Sequence, residues 1–140
     1  MAYFDTSAIV TLLVDEDASD IAIELWGVAD SKVTSQLAYP EARAALAAAA
    51  RGNRLSEDAL DAAIHDLDRA LEATLLIGVD RELARAAGAL AHTHALRGYD
   101  AVHLATALTI TDPGLVVVTW DRDLSSAAFA AGCSVAPALR

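Results

Sequence analysis

The sequence predicts an α/β fold in three layers (α/β/α), with helices on both faces of a short, mostly parallel central sheet of four to five strands. Short apolar runs alternate along the chain with longer stretches of helical periodicity, as in parallel strands joined by crossover helices. The 140 residues are 55% hydrophobic with few aromatics, a composition that suits helices packed closely on a small sheet. Without a linker or an internal repeat, residues 1–140 are expected to form one domain.

The strand candidates are short apolar runs that end at turn residues or at an acid. The clearest is the run 115–119, which is apolar and rich in valine, as expected for a strand buried on both faces. The last run has the length and position of an edge strand. In chain order the candidates are residues 2–4, 32–34, 75–79, 115–119 and 133–136.

Helices are predicted where Ala, Leu and Ile recur at helical spacing after a capping residue. Ser56 and Asp80 are expected N-caps, and Gly52 is a stop signal. An acidic turn is expected from Asp15 to Asp20. The predicted helical segments are residues 8–14, 21–26, 37–52, 56–71, 81–96, 98–108 and 121–129.

Charge and cysteine content exclude several classes of protein. Twenty acids against ten Lys and Arg give a net charge of −10, so the chain does not bind nucleic acid through bulk positive charge. Cys133 is the only cysteine, which excludes a disulfide framework and favours a cytoplasmic location. We expect no signal peptide, because Asp5 interrupts the first apolar run, and no uncharged run approaches the roughly 18 residues of a membrane helix.

Two acids follow predicted strands, and two more begin or interrupt apolar helix faces. Asp5 follows the first strand and Asp121 the fourth, so both are expected at the carboxyl edge of the sheet, where α/β proteins place their functional crevice. Glu41 lies on a Leu/Ala face of its helix, and Asp100 precedes an apolar stripe. Asp5, Asp100 and Asp121 could each be only a helix N-cap. A buried, unpaired glutamate is costly, however, and no basic residue is obviously placed to neutralise Glu41 and Asp100.

If the four acids converge, their mutual repulsion requires a cation. Two unit charges 4 Å apart repel by about 4 kcal/mol at an effective dielectric constant of 20. Carboxylate oxygens without Cys or clustered His select Mg²⁺ or Mn²⁺ rather than zinc. Such an ion suits phosphodiester hydrolysis, because it activates a water molecule and stabilises charge on the phosphate.

The four acidic segments, taken in order, resemble those of PIN-domain ribonucleases, and most closely the VapC-type toxins of toxin–antitoxin pairs. The similarity covers essentially the whole chain. The segments that carry it are Asp5-Thr6-Ser7, Pro40-Glu41-Ala42-Arg43, Tyr99-Asp100-Ala101-Val102-His103 and Thr119-Trp120-Asp121-Arg122-Asp123.

The resemblance implies a PIN-like fold and an Mg²⁺- or Mn²⁺-dependent endoribonuclease that is cytoplasmic, homodimeric and inhibited by a cognate antitoxin. It also implies that Asp5, Glu41, Asp100 and Asp121 are the catalytic and metal-binding acids. Accessory residues would be Asp123, as an extra acid, and Thr6 and Thr119, as hydroxyls that orient acids or waters. We expect RNA binding to depend on metal, and a cationic antitoxin side chain to compete with the metal in the acidic pocket.

Several alternatives stay open at this point. Asp100 is expected both to cap its helix and to bind metal, and His103 is either a partner of Asp100 or a satisfied core histidine. The chain could also be a catalytically silent PIN-like binding module, or another Mg²⁺-dependent phosphate-handling α/β enzyme. The second alternative fits poorly: position 7 is Ser where haloacid-dehalogenase-like enzymes need an acid, and a receiver domain needs a late lysine whereas Lys32 is the only lysine.

Overall fold

A computed structural model describes residues 1–14 and 17–139. Asp15 and Glu16 lie outside the described residues, and with them the start of the predicted acidic turn. The strands are β1 (Ala2–Phe4), β2 (Lys32–Ser35), β3 (Leu75–Ile77), β4 (Val116–Val118) and β5 (Ser134–Ala136). The helices are α1 (Thr6–Leu13), α2 (Ser19–Val28), α3 (Ala38–Arg51), α4 (Glu57–Glu72), α5 (Arg81–His94), α6 (Gly98–Leu108) and α7 (Arg122–Ala130).

The strands form one parallel sheet in the order β3-β2-β1-β4-β5. The strand β1 is central, with Ala2 opposite Lys32 on one side and Phe4 opposite Val118 on the other. The chain builds outward from β1 through β2 and β3, and then crosses to β4 and β5. The strand order therefore reverses between β1 and β4, which makes their carboxyl ends the topological switch point of the sheet.

Alternate side chains of the strands enter two separate cores, one on each face of the sheet. Tyr3 and Val117 pack with residues of α5, α6 and α7. Phe4 and Val118 pack with residues of α1, α3 and α4 on the opposite face. The predicted three-layer α/β fold is therefore confirmed, with five strands that are all parallel.

Two predicted helix N-caps are confirmed, whereas one helix and one strand end earlier than predicted. Ser56 and Asp80 accept hydrogen bonds from the backbone N–H of Ala59 and Leu83, as N-caps do. The helix α5 ends at His94 rather than Leu96, because Ala95 takes a left-handed conformation with φ 54°. The strand β3 ends at Ile77 and is an edge strand, with Leu75 63% exposed. Within the described residues, no helix has both the length and the apolar character that a bilayer crossing requires.

Candidate active site

The candidate site lies at the carboxyl ends of β1 and β4, where the switch point of the sheet opens a crevice. Asp5 directly follows β1, and its backbone N–H donates to the carbonyl of Val118 at the end of β4. Asp121 follows β4 and is the N-cap of α7. The sheet thus brings together two acids that are 116 positions apart in the sequence, as the pattern of strand ends predicted.

Asp5 is buried, and both of its carboxylate oxygens accept hydrogen bonds. The N–H of Ala8 donates to Oδ1 at 2.8 Å, which makes Asp5 the N-cap of α1. The Ser7 hydroxyl donates to both oxygens, at 2.7 and 2.9 Å. Burial raises the pKa of Asp5 above its ordinary value, against the opposing effects of nearby His103 and of these hydrogen bonds. A nearby cation would therefore stabilise the ionised form of this side chain.

Thr119 joins Asp5 to the segment that carries Asp121. Its hydroxyl donates to Asp5 Oδ2 at 2.6 Å and accepts from the backbone N–H of Asp121 at 3.0 Å. The neighbouring N–H of Trp120 donates to Ser7 Oγ at 2.8 Å. Thr119 is fully buried, so water does not compete for these bonds. Its hydroxyl orients an acid, which is the geometry that the resemblance implied for this position.

Glu41 lies in the first turn of α3, and its carboxylate contacts Thr6 and His103. Thr6 Oγ1 donates to Glu41 Oε1 at 2.8 Å, and His103 Nε2 lies 2.7 Å from the same oxygen. Burial acts to raise the pKa of Glu41, but the hydrogen bonds of His103 and Thr6 outweigh it and the pKa is lowered. Glu41 is therefore a carboxylate that stays ionised and that accepts two directed hydrogen bonds.

His103 extends this arrangement into the core. The ring is 2% exposed, and its Nδ1 lies 2.7 Å from the buried hydroxyl of Tyr3. Burial, followed by the charge of Asp5, raises the pKa of Tyr3 far above its ordinary value, so its hydroxyl keeps its proton. Nε2–H donates to Glu41, and Nδ1 shares the hydrogen bond with the Tyr3 hydroxyl, so both ring nitrogens have partners. His103 is thus a satisfied buried histidine, and its carboxylate partner is Glu41 rather than Asp100.

Arg97 bridges the other two acids of the predicted set. Its Nε donates to Asp100 Oδ2 at 2.8 Å, and its Nη2 donates to Asp121 Oδ2 at 2.9 Å. The expectation that no basic residue neutralises both Glu41 and Asp100 needs correction: Asp100 is paired with Arg97, and the charge of Arg97 also lowers the pKa of Glu41. Burial still raises the pKa of Asp100, with Asp121 adding to the effect and Arg97 opposing it.

The prediction that Asp100 caps its helix is wrong. The N-cap of α6 is Arg97, whose backbone is extended, and Asp100 is the third residue of the helix. Arg97 provides no side-chain hydrogen bond to cap the helix. The carboxylate of Asp100 therefore lies in the first turn, where a helix N-terminus favours negative charge, and is turned toward Arg97.

Asp123 stands apart from this network. It lies in the first turn of α7, is exposed, and is close enough to Arg97 for its charge to contribute to the raised pKa of that guanidinium. Thr119 links Asp5 to Asp121, and Arg97 links Asp121 to Asp100. Glu41 accepts a hydrogen bond from Thr6, the residue that follows Asp5. Asp123 takes no part in those contacts.

Asp100 and Asp121 have the oxygen ligands that a divalent cation such as Mg²⁺ prefers, although they do not surround the ion. Asp100 and Asp121 each direct one oxygen at the same positive group, as two carboxylates of an Mg²⁺ site do. Among residues 1–14 and 17–139, however, no three His, Cys, Asp or Glu side chains are arranged to hold one ion. Since Mg²⁺ is commonly held by one or two carboxylates and keeps several waters, Asp100 and Asp121 fit the ion as a pair.

The family is shown by comparison with known proteins. A model of the PIN domain family matches residues 2–130. The chain therefore belongs to the PIN domain family, and the resemblance of its acidic segments is confirmed.

Individual relatives narrow the class further. Ribonuclease VapC45 (strain CDC 1551) and ribonuclease VapC49 (strain H37Rv) of Mycobacterium tuberculosis are each 52% identical to this chain over 138 residues, which covers 99% of the chain and 96% of the relative. With the family match, this similarity confirms the prediction of a nuclease and the resemblance to VapC-type proteins.

Solved structures share the fold. VapC20 of Mycobacterium tuberculosis, a sarcin–ricin loop cleaving toxin, superposes with a TM-score of 0.70 at 21% identity, covering 91% of this chain and 95% of the other. A toxin–antitoxin complex from Klebsiella pneumoniae gives a TM-score of 0.66 at 22% identity, covering 98% and 97%.

Two residues of the site were missed or undervalued in the sequence. Arg97 directly precedes Gly98 and was interpreted only as part of a helix boundary, although an arginine three residues before an acid in a first turn can reach it. The core position of His103 was predicted, but its partner Tyr3 is 100 positions away, and no local pattern links the two.

Proposed function

We propose that this protein is an Mg²⁺- or Mn²⁺-dependent endoribonuclease that acts as the toxin of a toxin–antitoxin pair. The observation that carries the proposal is the convergence of Asp100 Oδ2 and Asp121 Oδ2 on one cationic group, beside the hydrogen-bonded acids Asp5 and Glu41. The names of the ribonuclease relatives support RNA as the substrate.

Asp100 and Asp121 would hold the divalent ion directly, and Asp5 and Glu41 would complete the negative site around it. The ion, when bound, supplies a nucleophilic water at neutral pH and stabilises the charge that develops on the phosphate. Thr119 fixes the position of Asp5 relative to the backbone of Asp121, because its buried hydroxyl donates to Asp5 and accepts from the N–H of Asp121. In this proposal the four acids form a site in which a metal-activated water cleaves the phosphodiester bond.

Glu41 is an ionised, oriented carboxylate that can position a water molecule in this site. Its pKa is lowered by the hydrogen bonds of His103 and Thr6, although burial opposes them, so it is ionised at neutral pH. Both hydrogen bonds go to Oε1. The carboxylate is therefore fixed through Oε1, and Oε2 would orient the attacking water by accepting a hydrogen bond from it.

An antitoxin partner follows from charge and from the fold relatives. The net charge of −10 and the acidic crevice favour a partner that presents Arg or Lys. The complex from Klebsiella pneumoniae is described as a toxin bound to its antitoxin. An antitoxin side chain with a guanidinium or ammonium group would occupy the same two carboxylates and exclude the metal. We also propose that the protein is a cytoplasmic homodimer, as its resemblance to VapC-type toxins implies.

The test is cleavage of a single-stranded RNA by the purified protein with Mg²⁺ or Mn²⁺, with and without a chelator. Asp5→Ala and Asp100→Asn should each lower the cleavage rate by a factor of about 100 or more, as losses of electrostatic catalysis commonly do. Asp61→Asn is the matched control, because Asp61 is an exposed acid in the middle of α4. Cleavage that survives the chelator and both substitutions would overturn the mechanism. A folded protein that cuts no RNA while binding a partner tightly would favour the silent binding module.

A further inference from the structure

Arg97 occupies the atoms that a divalent ion would need. We propose that Arg97 is an internal counter-ion that competes with the divalent cation for Asp100 and Asp121 and leaves them when the cation binds. The inference rests on the metal site of the proposed function. It adds a regulatory role for a residue of this chain that is not one of the four acids.

The hydrogen bonds of Asp121 make the competition direct. Its Oδ1 accepts from the N–H of Leu124 at 2.9 Å and thereby caps α7. Its Oδ2 accepts from Arg97 Nη2. Capping leaves one well-placed oxygen of Asp121 for a cation, and Arg97 holds that oxygen. An ion that binds Oδ2 of Asp121 and leaves the helix cap intact therefore meets the guanidinium of Arg97 at that oxygen.

The bridging geometry extends the competition to Asp100. Arg97 uses Nε for Asp100 and Nη2 for Asp121, so a single side chain spans the two carboxylates. Both bonds go to the Oδ2 atoms. A rigid guanidinium that spans two acids holds them at a separation set by its own width, whereas a small ion requires them to converge on one point. The two cations therefore favour different separations of the same carboxylate pair.

Arg97 is also free to leave. Its side chain is 73% exposed, whereas those of Asp100 and Asp121 are 12% and 22% exposed. The acids are thus fixed by their helices, while the guanidinium approaches them from solvent. Water and salt compete with ion pairs of such exposure, so the guanidinium can be replaced without unfolding any element.

Arg122 offers a matched control. It follows Asp121 directly and begins α7, it is exposed, and it makes no salt bridge to a described residue of the chain. Replacing Arg122 by Gln removes the same charge next to the same ligand without vacating the Asp100–Asp121 bridge. Any difference between Arg97→Gln and Arg122→Gln then reports direct competition rather than a general change of charge.

The experiment measures binding of Mg²⁺ and Mn²⁺ to the metal-free protein by calorimetry, for wild type, Arg97→Gln, Arg122→Gln and Asp100→Asn. We expect Arg97→Gln to lower the Kd by about tenfold or more, within the usual range of coupling between two ligands. Arg122→Gln should lower it far less. Nitrogen-15 spectra of the arginine side chains should show that Mg²⁺ displaces the wild-type Arg97 Nε–H from its hydrogen bond.

The outcomes separate this inference from the function on which it rests. The competition would be overturned if Arg97→Gln and Arg122→Gln had equal Kd values. If wild type binds the ion and Asp100→Asn does not, the metal site itself would still be supported. An Arg97 Nε–H signal unchanged at saturating Mg²⁺ would also overturn the competition. Failure of both ions to bind wild type and Arg97→Gln at millimolar concentration would overturn the metal site and the competition together.

Discussion

The buried hydrogen bond between Tyr3 and His103 can be tested by a double-mutant cycle with Tyr3→Phe and His103→Phe. Both side chains are at most 2% exposed, and their polar atoms are 2.7 Å apart. Tyr3→Phe removes the partner of Nδ1 in a buried ring, and His103→Phe removes one partner of a buried hydroxyl. Each change should lower the free energy of unfolding by about 1–3 kcal/mol.

The double mutant should be more stable than the sum of the two losses implies. With both polar groups gone, no unpaired atom of this hydrogen bond remains, so we expect a coupling energy of about 1–2 kcal/mol. His103→Phe should still cost stability in the double mutant, because Glu41 loses a hydrogen bond. The Phe ring retains the edge-on contact with residue 3, where the ring centroids are 6.0 Å apart.

The measurement is urea unfolding of the four metal-free proteins at pH 7, followed by circular dichroism. The same cycle with Tyr3→Phe and His65→Phe is the control, since His65 is exposed on α4. That control should be additive to within about 0.5 kcal/mol. If the Tyr3–His103 cycle is additive to the same margin, the hydrogen bond does not stabilise the core, and His103 is not fixed in the way that we infer.

Three further predictions concern the acids and Thr119. Thr119→Val should lower the free energy of unfolding by about 1–3 kcal/mol and also slow RNA cleavage, because Asp5 and the N–H of Asp121 each lose a partner. Thr119→Ser should restore both, and Thr93→Val, at an exposed position of α5, is the control. Normal cleavage by Thr119→Val would contradict the positioning role. Burial raises the pKa of Asp5 above 3.8, so the stability that Asp5 contributes is complete below that pH and is lost as the pH rises through the folded-state pKa. Between pH 4 and 7, the free energy of unfolding in urea should therefore decline less for metal-free Asp5→Asn than for wild type. A steeper decline for Asp5→Asn would refute the raised pKa. Metal-free Asp100→Asn should be at least as stable as metal-free wild type at pH 7, because burial raises the pKa of Asp100 even though Arg97 opposes the effect. A clear fall in the melting temperature of Asp100→Asn would mean that the ion pair with Arg97 outweighs the cost of burial.

The positions of the acids were predictable because parallel strands place their carboxyl ends at one edge. That rule needs only the strand ends, and it placed Asp5 and Asp121 together without any knowledge of the strand order. Glu41 was recognisable as an acid on an apolar helix face. The sheet order and the resulting switch point between β1 and β4 were not predictable from periodicity, since every strand has only three or four residues.

The contacts around the acids could not be predicted, because they depend on how separate elements approach each other. Arg97 and Asp121 are 24 positions apart and belong to different helices. Their ion pair exists only because α6 starts where α7 starts, at the same edge of the sheet. The sequence shows an excess of acids over bases, and that excess says nothing about which base is placed among which acids.

Capping and metal binding are compatible roles for a carboxylate, because each role needs only one of the two oxygens. Asp121 demonstrates the division: Oδ1 caps α7, and Oδ2 faces a cation. Asp5 has less to spare, since Ser7, Ala8 and Thr119 engage both of its oxygens. Asp100 does not cap its helix, and Arg97 engages only its Oδ2. In the function that we propose, Asp100 therefore has only the metal-binding role, and Asp121 combines that role with a helix cap.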